Sequence, residues 1–338
     1  MTLYYRPIAQ TDAARPDGAF ALAGGWCWFD TVEVLSRAGS RGRMPAADLP
    51  AEVLARLSAP RPALAGVEFA RPSLMGILNV TPDSFSDGGR FDAPEAALAQ
   101  ARALFAAGAD MLDIGGESTR PGAAEVSVEE EISRTAPVIA ALVAQAFPAP
   151  ISIDTRKAPV AAAAVSAGAG LVNDVSAMLF DPTMAATVAR TDAALCLMHA
   201  QGRPETMQAA PRYDDVLLDV YDHLEERLAA AEAAGIGRAR VLLDPGIGFG
   251  KTLDHNLALL RGLSLFHGLG CPLLLGVSRK RFIGTIGGAD QADARAPGTL
   301  AVTLAGIAQG VQMHRVHDVA EIAQGIRLHD AITRGYTA

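Results

Sequence analysis

Polar residues in this chain fall at the ends of short apolar runs, which is where a barrel would gather them. Asn79 and Thr81 close the first run, Asp113 the second, Asp154 the third, and Asn173 with Asp174 the fourth. Met198-His199 ends the fifth, Asp244 the sixth, Ser278-Arg279-Lys280 the seventh, and Arg315-x-His317-Asp318 the eighth. A lone Asp in such a place is as well explained by a helix cap or a pinned loop. Eight polar endings in series are not. Sorted by charge, Asp154, Asn173, Asp244 and Lys280 suit a neutral heterocycle rich in N–H donors, because a buried carboxylate without donors costs several kcal/mol. Asn79, Arg315 and His317 form a cationic or metal-ligating group suited to phosphate oxygens. Met198 and His199 reach a ring face in this reading, and a plain core role explains Met198 equally well.

Two Gly/Pro/Ser-rich segments stand directly after strand ends, Thr81 to Gly89 and Ser118 to Ala123, as mobile lids do and as ordinary surface loops also do. The run Asp244-Pro-Gly-Ile-Gly-Phe-Gly-Lys251 is glycine-rich but lacks the spacing of a nucleotide-phosphate loop. It reads as a loop shaping a pocket around Asp244, with Phe249 as an apolar or stacking wall. No H-E-x-x-H motif and no nucleophile elbow occur, which disfavours hydrolysis by a triad.

The elements that must position these residues recur eight times. Strand-like runs at 74–80, 111–115, 151–154, 171–175, 194–199, 241–244, 272–278 and 313–318 are apolar until their last residues, the pattern of parallel strands buried on both faces. Between them lie helical patterns. Asp92 with Glu95 and Ser127 with Glu130 have capping-box spacing, Gly108 is placed to end the first helix, and Pro137 weakens the middle of the second. The longest helical pattern, about 214–234, closes on Gly235 and Gly237. Eight such units in roughly 265 residues predict an α/β fold of the (β/α)₈ TIM-barrel type, with a doubly wound sheet as the alternative. Residues 1–71 form an N-terminal extension, expected to hold a short hairpin around Trp26 and Trp28 on one strand face and to be partly ordered elsewhere; 72–338 form the barrel.

The 338 residues carry 29 Lys+Arg against 37 Asp+Glu, a net charge of −8, so a broad surface for nucleic acid or anionic lipid is not expected. Cys27, Cys196 and Cys271 are odd in number and include no C-x-x-C pair, arguing against a disulfide framework and for a reducing compartment. With neither a signal-peptide pattern nor an apolar run long enough to span a membrane, a cytoplasmic protein is expected.

Several segments together resemble one family. Gly76-Ile-Leu-Asn-Val-Thr-Pro-Asp-Ser-Phe-Ser-Asp-Gly-Gly89, Asp113-Ile-Gly-Gly-Glu-Ser-Thr-Arg-Pro-Gly122, Ile153-Asp-Thr, Asn173-Asp-Val, Asp244 to Lys251, Ser278-Arg-Lys280 and Arg315-Val-His-Asp318 are similar to the dihydropteroate synthases, in order, over about residues 72–334. The resemblance implies a transferase of folate biosynthesis that joins p-aminobenzoate to 6-hydroxymethyl-7,8-dihydropterin diphosphate, releasing diphosphate. It implies pterin binding by Asp154, Asn173, Asp244 and Lys280 with Met198 and Phe249 at the ring, and catalytic roles for Asp154, Lys280 and Arg120. Asn79, Thr119, Arg315 and His317 would hold the diphosphate with Mg²⁺, for which Asn79 is the metal ligand. Ser278, Arg120 and Pro121 would receive p-aminobenzoate, Ser278 from the start of the seventh helix. A homodimer and sensitivity to sulfonamides are further family expectations. Arg281-Phe282 departs from the pattern, where a small and then a medium aliphatic residue is expected, and the first seventy residues have no counterpart in compact members. A methyltetrahydrofolate-dependent methyltransferase barrel shares the carboxylates but should lack Ser-Thr-Arg-Pro-Gly and Ser-Arg-Lys; a non-catalytic pterin-binding homologue would not need the diphosphate set.

Overall fold

A computed structural model describes residues 2–80, 93–117, 125–202 and 210–335. The extension contributes β1 (Tyr4–Pro7), β2 (Phe20–Ala21), β3 (Trp28–Phe29), β4 (Thr31–Ser36), β5 (Gly39–Pro45) and α1 (Ala51–Ser58). From there strands and helices alternate: β6 (Ser73–Asn79), α2 (Ala93–Ala107), β7 (Met111–Gly115), α3 (Val128–Ala144), β8 (Ile151–Asp154), α4 (Ala158–Ala167), β9 (Leu171–Asp174) and α5 (Met184–Ala189). They continue as β10 (Ala194–Met198), α6 (Val216–Ala233), β11 (Val241–Asp244), α7 (Leu253–Arg261), β12 (Leu274–Leu275), α8 (Arg281–Gly287), α9 (Ala296–Ile307), β13 (Met313–Val316) and α10 (Val319–Arg334).

The eight strands β6 to β13 form one parallel sheet, ordered β11-β10-β9-β8-β7-β6-β13-β12. A parallel bridge between Leu243 and Leu273, with the Leu243 N–H donating to the Pro272 carbonyl at 3.0 Å, joins β11 to β12 and closes the cylinder. The architecture is the (β/α)₈ barrel expected from eight apolar runs, and the open doubly wound alternative falls. Strand β12 is the one clear departure in length. Pro272 has no N–H to give, and residues 276–278 leave the sheet to reach Arg279, whose φ is +59°.

Helix boundaries follow local signals. Ser127 accepts from the Glu130 N–H at 3.2 Å to start α3, and Asp215 accepts from the Leu217 and Leu218 N–H groups at 3.0 and 3.2 Å to start α6. Gly108 and Gly168 follow α2 and α4 at φ +113° and +116°. The expected weakening at Pro137 leaves α3 unbroken, because both Pro137 and Ser133, whose carbonyl loses its partner, lie on the exposed side where water replaces the bond. Asp92 of the first expected capping box lies outside the described residues.

Inward-facing residues of the lower strands, Met75, Met111, Leu171, Ala194, Cys196, Leu242, Leu274 and Met313, form one buried cluster with Leu64, Val67 and Phe69 of the extension. The turn at 64–67 therefore plugs the barrel at the end opposite the polar strand termini, and water is excluded from below. The rest of the extension is more than a hairpin. Its β1-β4-β5 sheet and α1 enclose Phe29, Val32, Leu57 and Leu22, and Tyr4 packs with Leu218 and Leu265 of the barrel. Residues 39–45 and 51–58, expected as loosely ordered, form β5 and α1 because this small core gives them a surface to cover. The two tryptophans do not share a strand face. Trp26 precedes β3 and donates to the Ile307 carbonyl at the end of α9 (2.8 Å), whereas Trp28 donates back to the Asp12 carbonyl (2.7 Å).

Phe29 is fully buried. Phe29→Ala should cost about 3–5 kcal/mol of the extension's stability, read as an earlier urea transition by near-ultraviolet circular dichroism from Trp26 and Trp28.

Candidate functional site

Strand parity decides which polar residues meet. In β7, Met111 faces the interior and Leu112 the helices, so Asp113 and Gly115 also face inward; in β13, Met313 carries Arg315 with it. Asp154 of β8 pairs in register with Asn173 of β9, and Met198 of β10 with Asp244 of β11, so all four stand at the same end of the barrel. Across the interior, Asn173 Nδ2 donates to Asp113 Oδ2 at 3.0 Å.

Arg315 lies at the centre. Its Nε donates to Asp113 Oδ2 at 2.6 Å and its Nη2 to Asp154 Oδ2 at 2.8 Å. The guanidinium thus links the two groups that charge sorting kept apart, because two buried carboxylates need a cation more than a solvated site would. Burial pushes the Asp154 carboxyl up to about 7 against the opposing pull of Arg315, with Asp113, Glu131 and Asp174 adding to the rise. Asp113 Oδ1 and Asp154 Oδ1 remain without a partner, two buried acceptors at the mouth. Asn79 Oδ1 and Asp154 Oδ2 both lie within 4 Å of where a side chain on Gly115 would begin.

On the other side, Asp244 follows β11 into the glycine loop. Its Oδ1 accepts from the Gly246 N–H at 2.7 Å, and burial raises its carboxyl while Lys280 lowers it. Lys280 donates to the Ile247 carbonyl, and its Nζ sits 4.6 Å from the centre of the Phe249 ring. Burial brings the Lys280 ammonium down to about 8, and Asp244 opposes that shift. Met198 is buried against the same loop, its Cγ 3.2 Å from where a Cβ on Gly246 would stand.

Ser278 does not open a helix. Helix α8 begins three residues later at Arg281, and the Ser278 hydroxyl accepts from the His317 backbone N–H (3.0 Å) while lying 2.9 Å from His317 Nδ1. Arg279 in between pairs with Asp318, its N–H donates to Thr299 Oγ1 at 3.1 Å, and its carbonyl accepts from Arg295 at 2.9 Å. Arg281 is exposed at the first position of α8. Thr119, Arg120 and Pro121 lie outside the described residues.

Three buried groups received no site role from the sequence. Asp113 was legible as a polar strand end, but its pairing with Arg315 and Asn173 depends on parity across the closed cylinder. Lys251 lies under the glycine loop. Lys157 is buried as well: its Nζ donates to Glu117 Oε2 (3.0 Å), to Glu131 Oε2 (2.7 Å) and to the Val126 carbonyl (2.5 Å), and Glu117 Oε1 accepts from the Val126 N–H at 3.1 Å. One ammonium thereby ties together residues from both flanks of 118–124. No cluster of three or more His, Cys, Asp or Glu side chains suited to a metal occurs among the described residues, and among them no helix is long and apolar enough to cross a membrane.

Lys157→Met leaves Glu131, which is fully buried, without its cation and should cost about 3–5 kcal/mol in urea unfolding, with part of the loss restored in Lys157→Met/Glu131→Gln. A second expectation concerns pH. Because the folded-state value of Asp154 is raised, its stabilising contribution is complete below about 4 and is lost as pH rises through about 7. Asp154→Asn does not titrate, so the stability of the wild type relative to this variant should fall between pH 4 and 8; a difference that stays flat contradicts the raised value.

Comparison with known proteins agrees with this geometry. The family profile described as "Pterin binding enzyme" matches residues 75–317. The chain is 46% identical to the dihydropteroate synthase of Escherichia coli over 265 residues, covering 78% of this chain and 93% of that protein. It is 47% identical to that of Bacillus subtilis, covering 77% and 88%. Among solved structures, the Xanthomonas albilineans dihydropteroate synthase with 4-aminobenzoic acid superposes with a TM-score of 0.76 at 47% identity, covering 81% of this chain and 98% of that one. The same enzyme in complex with 7,8-dihydropteroate gives 0.73 at 45% identity, covering 81% and 99%. With the profile spanning the barrel and the relatives matched over nearly their whole length, the chain belongs to the pterin-binding enzyme family and, within it, to the dihydropteroate synthases.

Proposed function

We propose that the mouth of this barrel joins p-aminobenzoate to 6-hydroxymethyl-7,8-dihydropterin diphosphate, giving 7,8-dihydropteroate and diphosphate, with the residues named above as its working parts. One observation supports the assignment most directly. Asp113 Oδ1 and Asp154 Oδ1 are buried acceptors without partners, beside Asn173 and Asp244, and a pterin's amino-pyrimidine edge is a flat array of N–H donors that would satisfy them. Phe249 and Met198 supply apolar surface for the ring, and Lys280 closes the pocket from the glycine-loop side.

In this reading the diphosphate leaves as the bond to the exocyclic methylene breaks, and positive charge spreads into the pterin ring. Asp154, fixed by Arg315, stabilises that charge in its ionised form without making a bond to it. Arg315 and His317 face the departing anion, and His317 is held by Ser278. The amine of p-aminobenzoate then attacks the methylene and releases a proton to the departed diphosphate or to water, so no protein nucleophile is needed. Thr119, Arg120, Pro121 and Ser278 are proposed to serve the diphosphate and p-aminobenzoate ends of the site. Mg²⁺, which takes few protein ligands, would be held from the chain by the side-chain oxygen of Asn79. When bound it supplies charge neutralisation of the leaving diphosphate.

Self-association as a homodimer is supported by Leu328 and Ile332, one turn apart on α10 and 64% and 75% exposed. The three buried, unpaired cysteines support a reducing, cytoplasmic setting.

The test is a coupled assay of dihydropteroate formation and diphosphate release. Equal amounts of both products support the proposal, and pterin binding without turnover supports a binding-only protein instead. Asp154→Asn should lower kcat by roughly 10²–10³-fold with the fold retained; near-normal turnover removes Asp154 from its role.

A further inference from the structure

Lys251 ends the glycine loop and is only 3% exposed. Its ammonium makes no ion pair among the described residues. It donates instead to His199 Nδ1 at 2.8 Å, to the Gly246 carbonyl at 2.8 Å, to the Phe249 carbonyl at 3.0 Å and, more weakly, to the His199 carbonyl at 3.3 Å. Three N–H groups meet four acceptors, so its donors are fully used. The acceptors come from both ends of the loop and from the end of β10, which the loop overlies closely. A Cβ on Gly246 would stand 1.9 Å from the His199 carbonyl oxygen, and one on Gly250 2.3 Å from the Gln201 carbonyl oxygen; both glycines have φ above +60°. Backbone dipoles crowded in this way repel one another unless a cation sits among them.

We infer that Lys251 is a positioning residue, whose buried ammonium gathers the Gly246, Phe249 and His199 acceptors and so fixes the loop that forms one wall of the heterocycle pocket. Three pocket contacts hang from that loop: the Gly246 N–H on Asp244, the Ile247 carbonyl on Lys280, and the Phe249 ring beneath Lys280. The Gly246 and Phe249 carbonyls accept from Lys251, so its influence on a ligand passes through the loop and does not require contact with the reacting atoms. A neutral side chain of equal length would leave those carbonyls buried without donors and let the loop relax away from β10. The inference rests on the pterin reading of the site and assigns the specificity of that half of it.

The experiment titrates 6-hydroxymethylpterin into the full-length protein by calorimetry and measures steady-state KM for each substrate. In Lys251→Met the dissociation constant for 6-hydroxymethylpterin and the KM for the pterin diphosphate should rise about tenfold or more, while the KM for p-aminobenzoate stays within about twofold. His199→Ala, which removes one acceptor and keeps the ammonium, should give a smaller rise in the same direction. It decides the matter if Lys251→Met does not fold. A variant whose binding stoichiometry falls while its dissociation constant is unchanged shows a residue that only stabilises the fold, and overturns the inference. Equal weakening for both substrates overturns it as well. If the unaltered chain binds no 6-hydroxymethylpterin, the functional reading fails and this inference fails with it, a result distinct from either variant outcome.

Discussion

The site depends on a single guanidinium bonded to two buried carboxylates. Arg315 lies between Asp113 and Asp154 inside a cylinder whose floor is sealed by Leu64, Val67 and Phe69, so its charges are poorly screened from below. One cation against two acids leaves the cluster short of donors, and two carboxylate oxygens stay unpaired. A site arranged in this way is stable only in a rigid frame, and it holds in reserve the interaction energy that a donor-rich ligand releases on binding. Parallel strands supply the frame, because residues two apart on a buried strand must share a face.

Rigidity at the mouth comes from cross-links between consecutive strand ends. Ser278 bonds to His317, and the neighbouring Arg279 pairs with Asp318, so the segments after β12 and β13 are joined twice. Arg279 adopts φ +59°, a conformation costly for a residue with a Cβ. Its backbone N–H and carbonyl are both engaged, by Thr299 and Arg295, which repays that cost. Lys157 does comparable work on the opposite side by joining Glu117, Val126 and Glu131.

Much of the fold was legible in the chain. The buried parallel strands were found because their apolar runs have sharp ends, and several helix limits because Ser127, Gly108 and Gly235 are local signals whose effect needs no partner. The extension was read poorly for the opposite reason. Its sheet is stabilised by Phe29, Val32 and Leu57 meeting one another and by Tyr4 meeting Leu218 and Leu265, contacts between residues far apart in sequence. Pro137 was read as a weakness, but the Ser133 carbonyl that it leaves unpaired faces water.

The residue types at the strand ends were set by the sequence alone, since a carboxylate or amide closing an apolar run is visible in one dimension. The sequence therefore determined that Asp154, Asn173, Asp244, Lys280, Arg315 and His317 could share a mouth. Only the tertiary structure decided their partnerships: Arg315 with Asp113 as well as Asp154, Ser278 with His317, Lys251 with three backbone carbonyls and a histidine. Those pairings arise from closure of the barrel, which brings strands distant in the chain to within hydrogen-bond reach, and burial then forces each charge to take the nearest partner that geometry allows.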